Sequence, residues 1–151
     1  MSVDVDLQVV ACGNNFPDRE ELIRWVNAAA DDSNAEVVVR IVDEEESRNL
    51  NATYRGKDKS TNVLSFPFEA PVQLPEMNLL GDLVMCAPVI IREAAEQGKD
   101  VQSHWAHMAI HGTLHLLGYD HQNDAQAAEM EGREKEIMMS LGFPAPYQND
   151  E

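Results

Sequence analysis

The sequence predicts an α+β domain in which a small, mixed, four-stranded sheet is covered by about five helices. Three observations carry this. Short runs rich in β-branched residues alternate with helical repeats along the first half of the chain. The second half repeats at helical spacing almost throughout, with glycines placed to close each helix. A chain of 151 residues, 44% hydrophobic and 25% charged, suits one soluble domain with its own core.

The elements follow in order. Val3, Val5, Leu7 and Val9 alternate with Asp4, Asp6 and Gln8, the pattern of a half-buried strand. Pro17 stands where a helix begins, and Leu22, Ile23, Val26 and Ala30 repeat on one face. Residues 36–42, EVVVRIV, read as a second strand. Asp43 is placed to cap the next helix, with Glu46 completing a capping-box-like pair, and that helix runs to about Tyr54. Gly56 and Lys57 to Ser60 make a polar loop. Residues 62–68 read as a third strand, at an edge because Pro67 lacks a backbone donor. A loop over 69–78 holds Pro71 and Pro75, and Leu80 to Cys86 form the fourth strand.

Pro88 starts a third helix that Gly98 ends. Asp100 caps a fourth, from about Val101 to Leu117, closed by Gly118. Asn123 or Asp124 caps a fifth, ending near Leu141 and Gly142, and the polar residues from about 143 form a tail. The helix between strands two and three is read as a crossover, which makes those strands parallel.

Composition narrows the function. A chain of this length buries about 70% of its unfolded surface and needs no disulfide. Cys12 and Cys86 form no CxxC pair, so the expectation is two buried thiols in a reducing compartment. The acidic, alternating N-terminus is unlike a secretion signal, and no apolar run approaches the roughly 20 residues of a membrane span. The expected location is the cytoplasm. A formal net charge of −16 is unusual for a protein that meets phosphate. The basic residues are unevenly spread, however: Arg48, Arg55, Lys57 and Lys59 cluster with only Asp58 to oppose them. The acidic runs elsewhere read as a solvated face.

The strongest signal is chemical. In His111-Gly112-Thr113-Leu114-His115-Leu116-Leu117-Gly118-Tyr119-Asp120-His121, two histidines stand four apart on a helical pattern, which puts their Cβ atoms about 6 Å apart on one face. Gly118 lets the helix stop and the chain turn back. His121 can then return as a third ligand to one zinc-like ion, with a fourth position open to water, whose pKa zinc lowers to about 7. Imidazole also suits nickel, copper and iron. His104 and His107 share a side with His111 and are read as packing or supporting residues rather than ligands. The spacing matches the metal helix of metzincin proteases, but Gly112 stands where their general-base glutamate would be, which disfavours peptide hydrolysis.

Two segments carry a family likeness. HGTLHLLGYDH (His111–His121) has the pattern HGxLHLxGYDH, and LNATYRGKDKSTNVLSFP (Leu50–Pro67) is similar to LNxxYRxKDxxTDVLSFP, with Gly81-Asp82-Leu83-Val84 following as a GDI-type strand. With these residues the sequence resembles the YbeY family of single-domain, zinc-dependent endoribonucleases that process ribosomal RNA. The resemblance covers most of the chain. It departs at Asn62, where the family commonly has Asp.

The resemblance implies a single metal-dependent endoribonuclease domain over residues 1–151, holding one Zn²⁺ through His111, His115 and His121. It implies a functional role for Arg55, and a single-strand-directed hydrolase acting in maturation of the 16S rRNA 3′ end and in ribosome quality control. The implied partners are ribosomal RNA and the small ribosomal subunit with its proteins, without a membrane or a nucleotide cofactor. The residue chemistry agrees, since arginine presents a rigid fork of donors to phosphate, and Lys57, Lys59 and Arg48 are candidate contacts to an RNA backbone. A surface ion pair between Arg55 and the acidic start of its own helix is the competing reading, and Tyr54 is read either as a base-stacking ring or as core. Two other functions stay open: a zinc-stabilised ribosome-assembly or RNA-binding factor without catalysis, and an atypical metal hydrolase or protease.

Overall fold

A computed structural model describes residues 4–11, 13, 16–30, 36–67, 79–119 and 123–144. Its elements are β1 (Asp4–Val9), α1 (Arg19–Ala30), β2 (Glu36–Val42), α2 (Glu44–Arg55), β3 (Val63–Pro67), β4 (Leu79–Cys86), α3 (Ala87–Gln97), α4 (Val101–Leu116) and α5 (Asp124–Ser140). The strands form one mixed sheet in the order β1-β2-β4-β3. The expected α+β architecture is therefore present, with β3 at an edge and Pro67 at its end. The expected loop over 69–78 and the tail beyond residue 144 lie outside the described residues, as do Val3 and Cys12.

One expectation is overturned. β1 and β2 are parallel, as are β2 and β4, but β3 runs antiparallel to β4 and hence to β2. The helix between strands two and three does not work as a crossover, because the loop after it folds back along it. Gly56 leaves α2 in the left-handed region at φ +70°. The buried Asn51 side chain then donates to the carbonyl of Lys59 at 2.9 Å. Ser47, also buried, exchanges hydrogen bonds with the backbone of Thr61 at 3.0 and 3.1 Å. The chain thus returns to the end of the sheet where β2 finished, and β3 starts there with Val63 opposite Met85.

A second correction concerns caps. Asp43 precedes α2 without a side-chain cap bond. Glu46 is instead held by Arg40 of β2, at 2.5 and 3.1 Å, so it does not complete a capping box. A reciprocal box forms on α1: Asp18 Oδ1 accepts from the Glu21 backbone at 2.8 Å, and Glu21 Oε1 accepts from the Asp18 backbone at 3.0 Å. The Asp100 and Asn123 caps are formed, each side chain accepting from the backbone N–H three residues on.

The sheet buries both faces. Val37, Val39, Ile41, Leu83 and Met85 face a main core completed by α1, α4 and α5. Alternate residues Val42, Leu64, Val84 and Cys86 face a smaller cluster with Leu50 of α2 and Val89 of α3. The Cys86 thiol is free and buried there. α4 is the central helix, and every residue from Ser103 to Ile110 is buried. A helix buried on all sides along two turns belongs in the middle of a domain. Among the described residues no helix is long and apolar enough to cross a membrane.

Candidate functional site

Four histidines run along α4. Successive ring centroids stand 6.1, 6.3 and 4.7 Å apart for His104, His107, His111 and His115. The first two are buried in the core. The last two are half-buried, with rings inclined at 79°, and open into a cleft of about 540 Å³. Arg55, Asn62, Ser65 and Tyr119 also line that cleft. The helix ends just past it, where Gly118 takes φ +104°, a conformation costly for any residue with a Cβ.

Behind the histidines stands a carboxylate that sequence reasoning did not single out. Glu134 of α5 is fully buried. Its Oε1 lies 2.6 Å from Nε2 of His107 and its Oε2 lies 2.7 Å from Nδ1 of His111. Burial pushes this carboxyl up, but the hydrogen bonds and charges of His107 and His111 together outweigh it and hold it at about 2. The signal for Glu134 was present in the sequence. Met130, Ile137 and Met138 mark the buried side of α5, and Glu134 falls on it at helical spacing.

A second carboxylate serves the deeper end of the row. Glu93 of α3 lies 2.9 Å from Nε2 of His104 and accepts from the Asn62 side chain at 3.1 and 3.3 Å. Burial lowers the His104 pKa, with Glu93 working against it. Asn62, where the family commonly has Asp, uses its amide N–H₂ for this bond and its carbonyl for the backbone of Val63.

Arg55 is the last residue of α2, exposed, and its guanidinium donates to the carbonyl of Ser65 at 3.4 Å. Among the described residues no carboxylate pairs with it, so the competing ion-pair reading finds no partner there. Lys57 and Lys59 are exposed on the loop that follows. Arg48 differs. It grips Asp58 through two bonds at 2.7 and 3.0 Å, so its charge is already answered. Tyr54 is 65% exposed and meets the Phe66 ring edge-on, centroids 5.2 Å apart.

Gly112 does not face the cleft. A Cβ there would come within 2.8 Å of Leu83, 3.1 Å of Val63 and 3.2 Å of Ser65. α4 lies against β3 and β4 at this point, so a glutamate at position 112 would have no room without displacing Leu83, Val63 or Ser65. The residues present fit a transition-metal ion. Two imidazoles share an opening, and Glu134 takes Nδ1 of His111, the arrangement in which a ligand histidine binds an ion through Nε2. Among the described residues no group of three ligating side chains converges. His121 and Asp120 lie outside them.

A family model described as Endoribonuclease YbeY matches residues 14–142 of the chain. Among solved structures, the solution structure of TM1509 from Thermotoga maritima is similar. It is 25% identical in sequence with a TM-score of 0.56, and the match covers 95% of this chain and 97% of that one.

Proposed function

The chain belongs to the YbeY family of endoribonucleases, and on that premise we propose that it is a metal-dependent, single-strand-directed enzyme that cuts ribosomal RNA at the cleft between α4 and β3. The observation that carries the proposal is the shared opening of His111, His115 and Arg55 into one cleft. A phosphate seated there meets a guanidinium on one side and two imidazoles on the other.

In this reading His111, His115 and His121 hold one Zn²⁺ or a similar ion. Bound there, the ion supplies a Lewis acid for the scissile phosphate. Arg55 orients that phosphate and offsets the negative charge that builds on it during cleavage. The Ser65 carbonyl steadies the guanidinium from behind. Lys57 and Lys59 hold the adjoining backbone, while Arg48 contributes less because Asp58 occupies it. The exposed Tyr54 ring, braced by Phe66, offers a stacking surface to an unpaired base, which supports a single-stranded substrate. The finer assignment is maturation of the small-subunit rRNA 3′ end and quality control on the ribosome, in the cytoplasm. Acidic surface elsewhere suits a basic ribosomal protein rather than RNA, which reconciles the net charge of −16 with this role.

The test is cleavage of a single-stranded RNA and its duplex by metal-loaded protein, compared with Arg55→Ala and His115→Ala. The proposal expects cutting of the single strand and strong loss in both variants. Equal activity in all three proteins would defeat it. Metal binding without any cleavage would favour an assembly factor in its place.

A further inference from the structure

We propose that Glu134 is a positioning residue: it fixes His111 as the tautomer with hydrogen on Nδ1, so that Nε2, unprotonated, is the nitrogen that coordinates the ion. The inference rests on the metal reading above, and it concerns residues of this chain alone.

The geometry is specific. Each oxygen of one carboxylate meets a different imidazole, on successive turns of the same helix. His107 lies in the core and holds one oxygen, which aims the other at His111. An ionised carboxylate only accepts hydrogen bonds, so both facing ring nitrogens must carry hydrogen. For His111 in its neutral form this leaves Nε2 unprotonated, the state a metal requires.

A structural role accounts for the oxygen that satisfies the buried His107, but not for the second oxygen, which is turned onto His111 in the cleft. An apolar residue of similar size would fill the same space, at a cost in stability because His107 would lose its acceptor. What the apolar residue cannot do is choose between the two tautomers of His111 or stop its ring from turning. Carboxylates placed behind ligand histidines serve that purpose in metal sites generally, and their removal lowers metal affinity about 10- to 100-fold.

The experiment compares wild type with Glu134→Met, a near-isosteric apolar change. Long-range ¹H–¹⁵N spectra of the metal-free proteins at about pH 8, well above the usual histidine pKa of about 6.5, report the tautomer of His111. Wild type should show hydrogen on Nδ1, and the variant should lose that preference. Zn²⁺ titration should then show affinity lowered about 10- to 100-fold in the variant, with a lower melting temperature of the metal-free protein because the buried His107 loses its acceptor. Hydrogen on Nε2 of His111 in wild type would overturn the proposal. So would wild-type zinc affinity in a folded Glu134→Met protein. Should the variant fail to fold, the wild-type spectrum still decides. Wild type that binds no zinc while showing the Nδ1–H tautomer would instead sink the metal reading.

Discussion

The Ser65 hydroxyl donates to the carbonyl of Gly112 at 3.0 Å, across 47 residues of chain. This buried bond fastens the edge strand that carries the Arg55 contact to the turn of α4 that carries His111. The two halves of the cleft are therefore linked through one hydroxyl. Ser65→Ala should lower unfolding free energy by about 1 kcal/mol, the usual loss for one hydrogen bond. It should also loosen the placement of Arg55 and lower RNA cleavage. Denaturant unfolding beside RNA turnover checks both. Unchanged values would mean that the bond does not couple the two sides.

Gly112 marks the closest approach of α4 to the sheet. A methyl group there must displace Leu83, Val63 or the Ser65 hydroxyl. Gly112→Ala should cost about 1–3 kcal/mol through overpacking, measured by denaturant unfolding. Gly112→Glu should not yield folded protein, and should create no peptidase. A stable Gly112→Glu variant would show that the helix has slack which the packing denies.

Arg55 is exposed and contributes little to the fold, so its removal should act on chemistry alone. Arg55→Ala should reduce kcat on RNA by on the order of 100- to 1,000-fold, as loss of a charge-stabilising donor does elsewhere, with the melting temperature unchanged. Arg48→Ala should change turnover little, because Asp58 already engages that charge. Equal losses in both variants would mean that the 48–59 segment acts as a diffuse basic patch.

Acid sensitivity should show two windows, one from His104 and one from Glu134. His104 has a folded pKa below 6.5 because burial disfavours its charged form, with Glu93, His107 and Lys99 as its charged neighbours. The unfolded chain then takes up the proton first, so stability present above pH 6.5 is lost as pH falls below it. Glu134 is held at about 2 against a usual 4.5. Its contribution is complete above pH 4.5 and is lost as pH falls towards 2. Melting curves across pH check this, and His104→Phe should flatten only the upper window. An unaltered upper window in that variant would reject the assignment.

Much of the fold is readable from local pattern. The strands at 36–42 and 80–86, the Asp100 and Asn123 caps and the stops at Gly98 and Gly118 depend on neighbours only a few residues away, and periodicity captures them. The direction of β3 does not. It depends on Ser47 and Asn51 folding the loop back along α2, and two polar residues inside a helix give no advance notice of that. Glu46 completes no capping box because its partner Arg40 sits on another element. The cleft followed the same division. The HxxxH pair could be read from helical spacing, and so could the place of Glu134 on the buried side of α5, whereas its contact with His111 and the packing of Gly112 against Leu83 arise only when distant segments meet.

The most direct test of the metal-centred account is the transition-metal content of the purified protein and its zinc titration, for wild type and for His111→Ala, His115→Ala and His121→Ala. The account predicts one equivalent bound by wild type and loss of tight binding in each variant. Wild type that takes up no zinc, or a His121→Ala protein that binds it as tightly as wild type, would contradict the three-histidine centre.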